Sequence, residues 1–324
     1  LVNIAIVGAT GVVGQQFLVA LHNHPWFNIT ALAASERSAG KRYDRALTDD
    51  KTGAMRWYCD EPPPSEFIGM PVQEASQLDL TGIDLVFTGL ESELARGLEP
   101  RYAALKPVIS TASAFRYEED VPILVPGVNS DHVGLLRRQQ RERGWKGFIT
   151  PIPNCTTTGM VTTLKPLAQA FGLKLVLMTS MQAVSGAGRE GGVLSLDILD
   201  NVIPFIPKEE EKVQTETQKI LGSFDNGRIT PLNVPVSCTC TRVNVKDGHT
   251  ETVFVSTERP CTVEAVKETM RSFAGHLADL GLPSAPRESI VVLEDPFRPQ
   301  PRLDRDTHNG MAVVVGRVRK DPAL

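Results

Sequence analysis

"LVNIAIVGATGVVGQQFLVALHNHP", residues 1–25, decides the fold. A short apolar run rich in β-branched residues ends at a glycine turn, and Val13, Phe17, Leu18 and Leu21 then recur at helical spacing. The stretch reads as strand, tight turn and helix. Gly8, Gly11 and Gly14 form G-x-x-G-x-x-G at the turn. Glycines there allow the chain to reverse and let the backbone approach a pyrophosphate, which sits at the positive end of the helix. Gly8, Thr10, Gly11, Val12 and Gly14 are therefore candidate cofactor-binding residues. A glycine-rich turn with no ligand is the duller alternative, and the position between strand and helix argues against it.

The pattern continues outward. "FNITALAAS" (27–35), "IDLVFTGL" (83–90) and "KPVIST" (106–111) are apolar along much of their length, as strands covered on both faces are, with a helical "ESELARGLEPRYAAL" (91–105) between the last two. Alternating β and α over this half implies an α/β fold, a Rossmann-type doubly wound parallel sheet. The second strand runs into "SERSAGK" (35–41), where an NAD-binding chain would place an acid for the ribose hydroxyls. Ser35, Arg37 and Ser38 can instead donate to a 2′-phosphate, Arg37 bidentately, so NADP is the expected cofactor, with Glu36 as the discordant residue.

Composition narrows the function classes. The 324 residues are 41% hydrophobic and 22% charged, enough to bury a core in more than one domain, and the formal net charge is −4. No broad positive field exists for a nucleic acid, and "RRQQRERGWK" (137–146) alternates charge as a solvated helix face does. No apolar run approaches the roughly 18 residues that span a bilayer, and the sequence enters its first strand directly, so no signal peptide is expected. The expectation is a cytoplasmic protein with a small-molecule substrate and neither nucleic acid nor membrane as partner. The chain opens at Leu1 rather than Met, so a native start is expected to precede it. Five scattered cysteines read as reduced thiols, and the pair in "SCTC" falls short of a zinc pattern, so no metal is expected.

"PIPNCTTTGMVTTLKPL" (151–167) sets Cys155 at the start of a helix that Gly172 ends. A helix start lowers a thiol pKa and offers free N–H groups to an oxyanion. A buried inert cysteine is the alternative; the adjacent Asn154, the threonine-rich helix start and the nucleotide fold upstream favour a nucleophile. Beyond it come the strand "LKLVLMTSMQAVS" (173–185), the loop "GAGREGG" (186–192), the β-rich "CTCTRVNV" (238–245) and "ETVFVST" (251–257) joined by the turn "KDGH", a helical 263–281, and a late strand in "GMAVVVGRVRKD" (310–321). This is a second, α+β domain.

"GATGVVGQ", "SERSAGK", "STASAFR", "PNCTTTG", "MQAVSGAG", "SLDILDNVIPFIPKEEEK", "TRVNVKDGHTE" and "DTHNGM", in that order over nearly the whole chain, resemble the aspartate-β-semialdehyde dehydrogenases, more closely their archaeal and fungal branch. The resemblance implies Cys155 as nucleophile, Gln182 as the amide orienting the acyl group and His249 as general acid/base. It implies Arg242 on the substrate α-carboxylate, Glu209 near the substrate amino group, and Arg116 and Lys212 as phosphate-binding cations. Ser185, Gly186, Asn309 and Gly310 join the cofactor set, and homodimers or homotetramers are implied. The implied domains are 1–153 for NADP, completed by about 308–324, and 154–307 for catalysis and dimerisation. Read without the family, His249 could be a turn histidine, Arg242 a surface ion-pair residue, and Glu209, flanked by Glu210 and Glu211, part of a solvated charge run. Thr111 stands where family members commonly carry Asn and is not assigned. The family also continues past "VGRVRKD" into a Gly- and Ala-rich helical segment absent from this sequence, so either the chain is cut short or its cofactor domain is completed differently. The implied reaction interconverts aspartate semialdehyde, phosphate and NADP⁺ with β-aspartyl phosphate and NADPH through a cysteine thioester. Alternatives on the same scaffold are a malonyl-CoA reductase, an N-acyl-glutamyl-phosphate reductase and a catalytically silent NADP-binding homologue.

Overall fold

The computed structural model describes residues 1–188, 195–273, 277 and 280–323. The chain divides into two compact units, Leu1–Pro122 with Val133–Ile152, and Ile123–His132 with Pro153–Leu324. In the first unit β1 (Val2–Val7), β2 (Phe27–Ala34), β3 (Val72–Glu74), β4 (Leu85–Thr88), β5 (Val108–Ser110) and β6 (Ile149–Pro151) form one sheet in the order β3-β2-β1-β4-β5-β6. Every pairing is parallel. The helices are α1 (Val12–Leu21), α2 (Tyr43–Leu47), α3 (Ser65–Ile68), α4 (Ser92–Ala103) and α5 (Leu135–Arg143). The order in which strands are added across the sheet reverses between β1 and β4, the switch point at which doubly wound sheets bind ligands.

The apolar runs have a direct cause. Along β1, Ile4 and Ile6 enter one core with Leu32 and Phe87, while Ala5 and Val7 enter the opposite core with Ala33 and Val86. Both faces of the strand are buried, so no polar alternation survives. The glycines of the first turn are needed for close approach. Gly8 has φ +83°, and a Cβ there would stand 2.4 Å from Gly89 O; a Cβ on Gly14 would stand 2.2 Å from Gly8 O. Gln15 and Tyr43, both fully buried, brace the turn: Gln15 Nε2 donates to Thr10 O and Arg56 O, and Tyr43 Oη donates to Ala9 O.

The second unit holds α6 (Cys155–Phe171), β7 (Leu173–Gln182), α7 (Ser195–Ile198), β8 (Val202–Ile203), α8 (Glu209–Ile220), β9 (Ser223–Asp225), β10 (Arg228–Thr230), β11 (Val236–Val243), β12 (Thr250–Thr257), α9 (Val263–Arg271), β13 (Ile290–Val292), α10 (Pro301–Asp304) and β14 (Val313–Val315). Its main sheet runs β12-β7-β11-β8, and one face carries Val176, Met178, Cys238 and Cys240 into a core shared with Met160, Val161 and Leu164 of α6 and Val213 and Ile220 of α8. Gly172, with φ +70°, ends α6 where expected.

The units part from the expected boundaries in two places. Residues 123–132 go with the second unit: Ile123, Val125 and Val128 join its core, and His132 Nε2 lies 3.2 Å from Gly222 O, while Asn129 braces the segment by bonding Ile123 O and Val125 N. Residues 308–323, expected to complete the nucleotide domain, also fall in the second unit, where β14 pairs in parallel with β13. The helix expected over 263–281 is regular as α9 to Arg271; its residues 274–276 and 278–279, and residues 189–192 of the glycine-rich loop, lie outside the described residues. Among the described residues no helix is long and apolar enough to cross a membrane, and no group of three or more His, Cys, Asp or Glu could hold a metal ion.

The close approach at the turn makes a prediction. Gly14→Ala drives a methyl group into Gly8 O and Ala9 Cα, an overpacking of about 1–3 kcal/mol. The expected result is a lowered thermal unfolding midpoint; an unchanged midpoint shows that the turn can relax.

Candidate active site

β6 ends at Pro151, and the chain passes Pro153 and Asn154 before entering α6, whose first residue is Cys155. A helix start leaves its first N–H groups without carbonyl partners. Asn154 is the cap: its side-chain oxygen accepts from Thr156 N (2.9 Å) and Thr157 N (3.3 Å). Its Nδ2 donates to Glu209 Oε1 at 2.6 Å, and its own backbone N–H donates to Glu216 Oε2 at 2.6 Å. Both acceptors lie on α8, seven residues and so about two turns apart on one face. Asn154 is only 7% exposed, and every polar group it owns is engaged.

The sheet supplies the opposite wall. Gln182 at the end of β7 pairs with Arg242 on β11, and Thr250, next after His249, pairs with Met181. Strand register therefore brings Gln182, Arg242 and His249 to one end of the sheet. His249 Nε2 lies 3.0 Å from Cys155 Sγ. The other ring nitrogen, Nδ1, accepts from Ala183 N–H at 3.0 Å, so the neutral ring carries its proton on Nε2, facing sulfur. The carbonyl of the same residue, Ala183, accepts from Arg242 Nη1 at 2.8 Å. One peptide residue thus sets both the imidazole and the guanidinium. Gly186 leaves the gap between them, since a Cβ there would stand 3.1 Å from Arg242 Nη1 and 3.1 Å from His249 Cε1. Gln182 is buried, with Oε1 at 3.5 Å from Arg242 Nη1 and Nε2 on Ser180 Oγ.

Electrostatics departs from one expectation. Cys155 lies at the surface as a residue, yet desolvation of its sulfur, and then the Glu209 carboxylate, push the thiol up to about 11. The N–H groups of Thr156 and Cys155 and the Arg242 guanidinium pull it down, so the helix-start effect is present and outweighed. Burial, and then Arg242, hold His249 below the ordinary imidazole value, with Glu209 opposing. The resting pair is a thiol beside a neutral imidazole. Glu209 is itself buried while Glu211 of the same acidic run is exposed, so the run is not a uniformly solvated face. Lys212 Nζ lies 3.4 Å from Glu209 Oε2.

The remaining candidates lie elsewhere. In the first unit, the N-terminus of α1 has Gly11 as its cap residue, no side-chain cap bond and no acid in its first turn, which suits a bound phosphate. Ser35 and Arg37 are exposed beyond β2, whereas Ser38 is buried. Arg116, also in the first unit, is 6% exposed and donates to Thr111 O. In the second unit, Ser185 is exposed, and Asn309 and Gly310 sit with positive φ in the turn after α10. Sequence reading did not find the roles of the Ala183 peptide or of Glu216. Ala183 acts through backbone groups, which leave no residue signature; Glu216 could have been sought at the two-turn spacing from Glu209.

Comparison with known proteins agrees along the whole chain. Two family profiles match, "Semialdehyde dehydrogenase, NAD binding domain" over residues 3–136 and "Semialdehyde dehydrogenase, dimerisation domain" over residues 164–324. The aspartate-semialdehyde dehydrogenase of Methanothermobacter thermautotrophicus is 46% identical over all of this chain and 91% of its own length, and that of Archaeoglobus fulgidus is 46% identical over 98% of this chain and 89% of its own. Among solved structures, aspartate semialdehyde dehydrogenase with NADP from Candida albicans superposes with a TM-score of 0.90 at 39% identity, covering 100% of this chain and 91% of that one. Aspartate semialdehyde dehydrogenase II from Vibrio cholerae, complexed with ASA, gives 0.73 at 29% identity, covering 100% and 89%.

A thiol pushed up in this way ionises only as pH climbs. In the ligand-free protein, alkylation of Cys155 by iodoacetamide, followed by mass spectrometry of its peptide, is expected to keep rising from about pH 8 to about pH 10. A plateau below about pH 8 would show that the helix N–H groups and Arg242 win instead.

Proposed function

We propose, for a chain that belongs to the aspartate-semialdehyde dehydrogenase family, that it interconverts L-aspartate-β-semialdehyde, phosphate and NADP⁺ with β-aspartyl phosphate and NADPH through a thioester on Cys155. The observation that carries this reading is the 3.0 Å contact between Cys155 Sγ and His249 Nε2 at a helix start. In the oxidative direction the Cys155 thiol gives up its proton to solvent, the thiolate attacks the aldehyde carbon, and the carbonyl electron pair moves to oxygen. The N–H groups of the first turn of α6 and the Nε2–H of His249 hydrogen-bond that oxygen as its charge develops. Loss of hydride from carbon re-forms the carbonyl as a thioester, and phosphate then displaces sulfur. Gln182 orients the acyl group. Arg242 holds the substrate α-carboxylate, Glu209 its ammonium, and Arg116 and Lys212 the phosphate.

NADP would be held by Gly8, Thr10, Gly11, Val12 and Gly14 at the first turn and by Ser35, Arg37 and Ser38 beyond β2, with Ser185, Gly186, Asn309 and Gly310 assigned by motif. Its nicotinamide supplies or accepts the hydride. A cytoplasmic homodimer or homotetramer is part of the same reading and rests on the family resemblance.

Substrate binding also bears on the nucleophile. Glu209 is the leading charge that raises the Cys155 thiol, and a substrate ammonium beside it would offset that charge. Substrate binding would then lower the Cys155 thiol, against the desolvation that is the larger cause of its raised value.

The test is a phosphate-dependent assay with aspartate semialdehyde and NADP⁺, run on wild type and Glu209→Gln. The variant is expected to lose kcat/KM by about 2–4 kcal/mol of transition-state binding, roughly 30- to 1,000-fold, because the ammonium is left without its partner. Its Cys155 should meanwhile alkylate faster than wild type near pH 8, since the raising charge is gone. A wild type that needs no phosphate, or one that prefers malonyl-CoA, overturns the substrate assignment.

Cofactor choice is tested at Arg37. Arg37→Ala is expected to weaken NADP binding about tenfold to a hundredfold, by roughly 1.5–3 kcal/mol for a charge-assisted contact, while leaving NAD binding nearly unchanged. Equal weakening of both cofactors would make Arg37 structural.

A further inference from the structure

Glu216 has no part in the chemistry above, yet its placement is costly. It has no exposed surface, and it shares the inward stripe of α8 with Val213, Thr217 and Ile220, where an apolar side chain would fit. A carboxylate buried in such a stripe is tolerated only when hydrogen-bonded. One of its bonds goes to the residue before the proposed nucleophile: Oε2 accepts Asn154 N–H at 2.6 Å.

We infer that Glu216 is a positioning residue for Cys155, acting through Asn154; the inference rests on the reading of Cys155 as the group that carries the acyl. Asn154 caps α6 only while its backbone holds φ −55°, ψ 145°, which turns its side-chain oxygen back onto Thr156 and Thr157 N–H. The N–H of Asn154 is buried and must find an acceptor. Glu216 supplies it from one side, and Glu209 takes the side-chain amide from the other. Without Glu216 the Asn154 peptide would turn toward another acceptor. The cap would loosen, and Sγ would lose its aim at His249 Nε2. Helix α8 therefore reaches the active site twice, with Glu209 facing the substrate ammonium and Glu216 fixing the direction of the sulfur.

The test compares Glu216→Met, of similar length without an acceptor, with Glu216→Gln, which keeps a carbonyl oxygen. Three quantities are read: kcat, KM for NADP⁺, and the pH profile of Cys155 alkylation. Glu216→Met is expected to lower kcat about tenfold to a hundredfold, the scale of an ångström-size misplacement, with KM for NADP⁺ within about twofold and a displaced alkylation profile. Glu216→Gln is expected to restore both kcat and the profile. A Met variant with wild-type kcat and profile overturns the inference, as does equal impairment by Met and Gln. If the Met variant does not fold, Glu216→Gln decides alone: a wild-type profile supports the inference and a displaced one overturns it. Turnover that survives Cys155→Ala would defeat the functional reading instead, and the alkylation profiles of the Glu216 variants would still report on where Cys155 points.

Discussion

The first turn of α6 carries backbone N–H groups that no carbonyl of its own helix can reach, and the catalytic face is arranged around how they are satisfied. Asn154 takes those of Thr156 and Thr157, and those of Cys155 and Thr156 also face the sulfur. A cap oxygen and a nucleophile thus compete for the same donors. The balance holds because Asn154 cannot rotate: α8 grips its backbone N–H and its side-chain amide separately. The residue next to Cys155 is thus held from a second helix.

Charge is balanced as closely as geometry. Arg242 and the helix N–H groups favour the thiolate, and Glu209 and the desolvated setting oppose it. The same Arg242 also helps keep His249 neutral, so its effect on the pair is double: it stabilises an anion on sulfur and discourages a cation on the imidazole. In the reading proposed above, a substrate ammonium beside Glu209 would offset the leading charge that raises the thiol.

The first unit solves a different problem. A strand buried on both faces needs helices on both sides, and its turn must bring β4 and α1 close enough that no Cβ fits at Gly8 or Gly14. Gln15 and Tyr43 hold that turn by bonding its carbonyls. The result is a helix N-terminus with no side-chain cap bond and no acid in its first turn, where a phosphate can approach backbone N–H groups.

Much of this was legible in residues 1–25 and in the motifs after them. Local patterns carry periodicity, glycine turns and caps, because these depend on neighbours in the chain; hence the parallel sheet, the helix start at Cys155 and the glycine stop at Gly172 were readable. Motif order carried the family, and with it His249 and Arg242. Three things belonged to the tertiary structure alone. Burial decided that Glu209 and Glu216 are not solvated acids, since a helix face is inward or outward only by what packs on it. Desolvation decided that the Cys155 thiol is raised, a quantity that depends on every atom around sulfur rather than on the helix start. Strand register decided that the Ala183 peptide, invisible in any side-chain pattern, holds His249 with its N–H and Arg242 with its carbonyl.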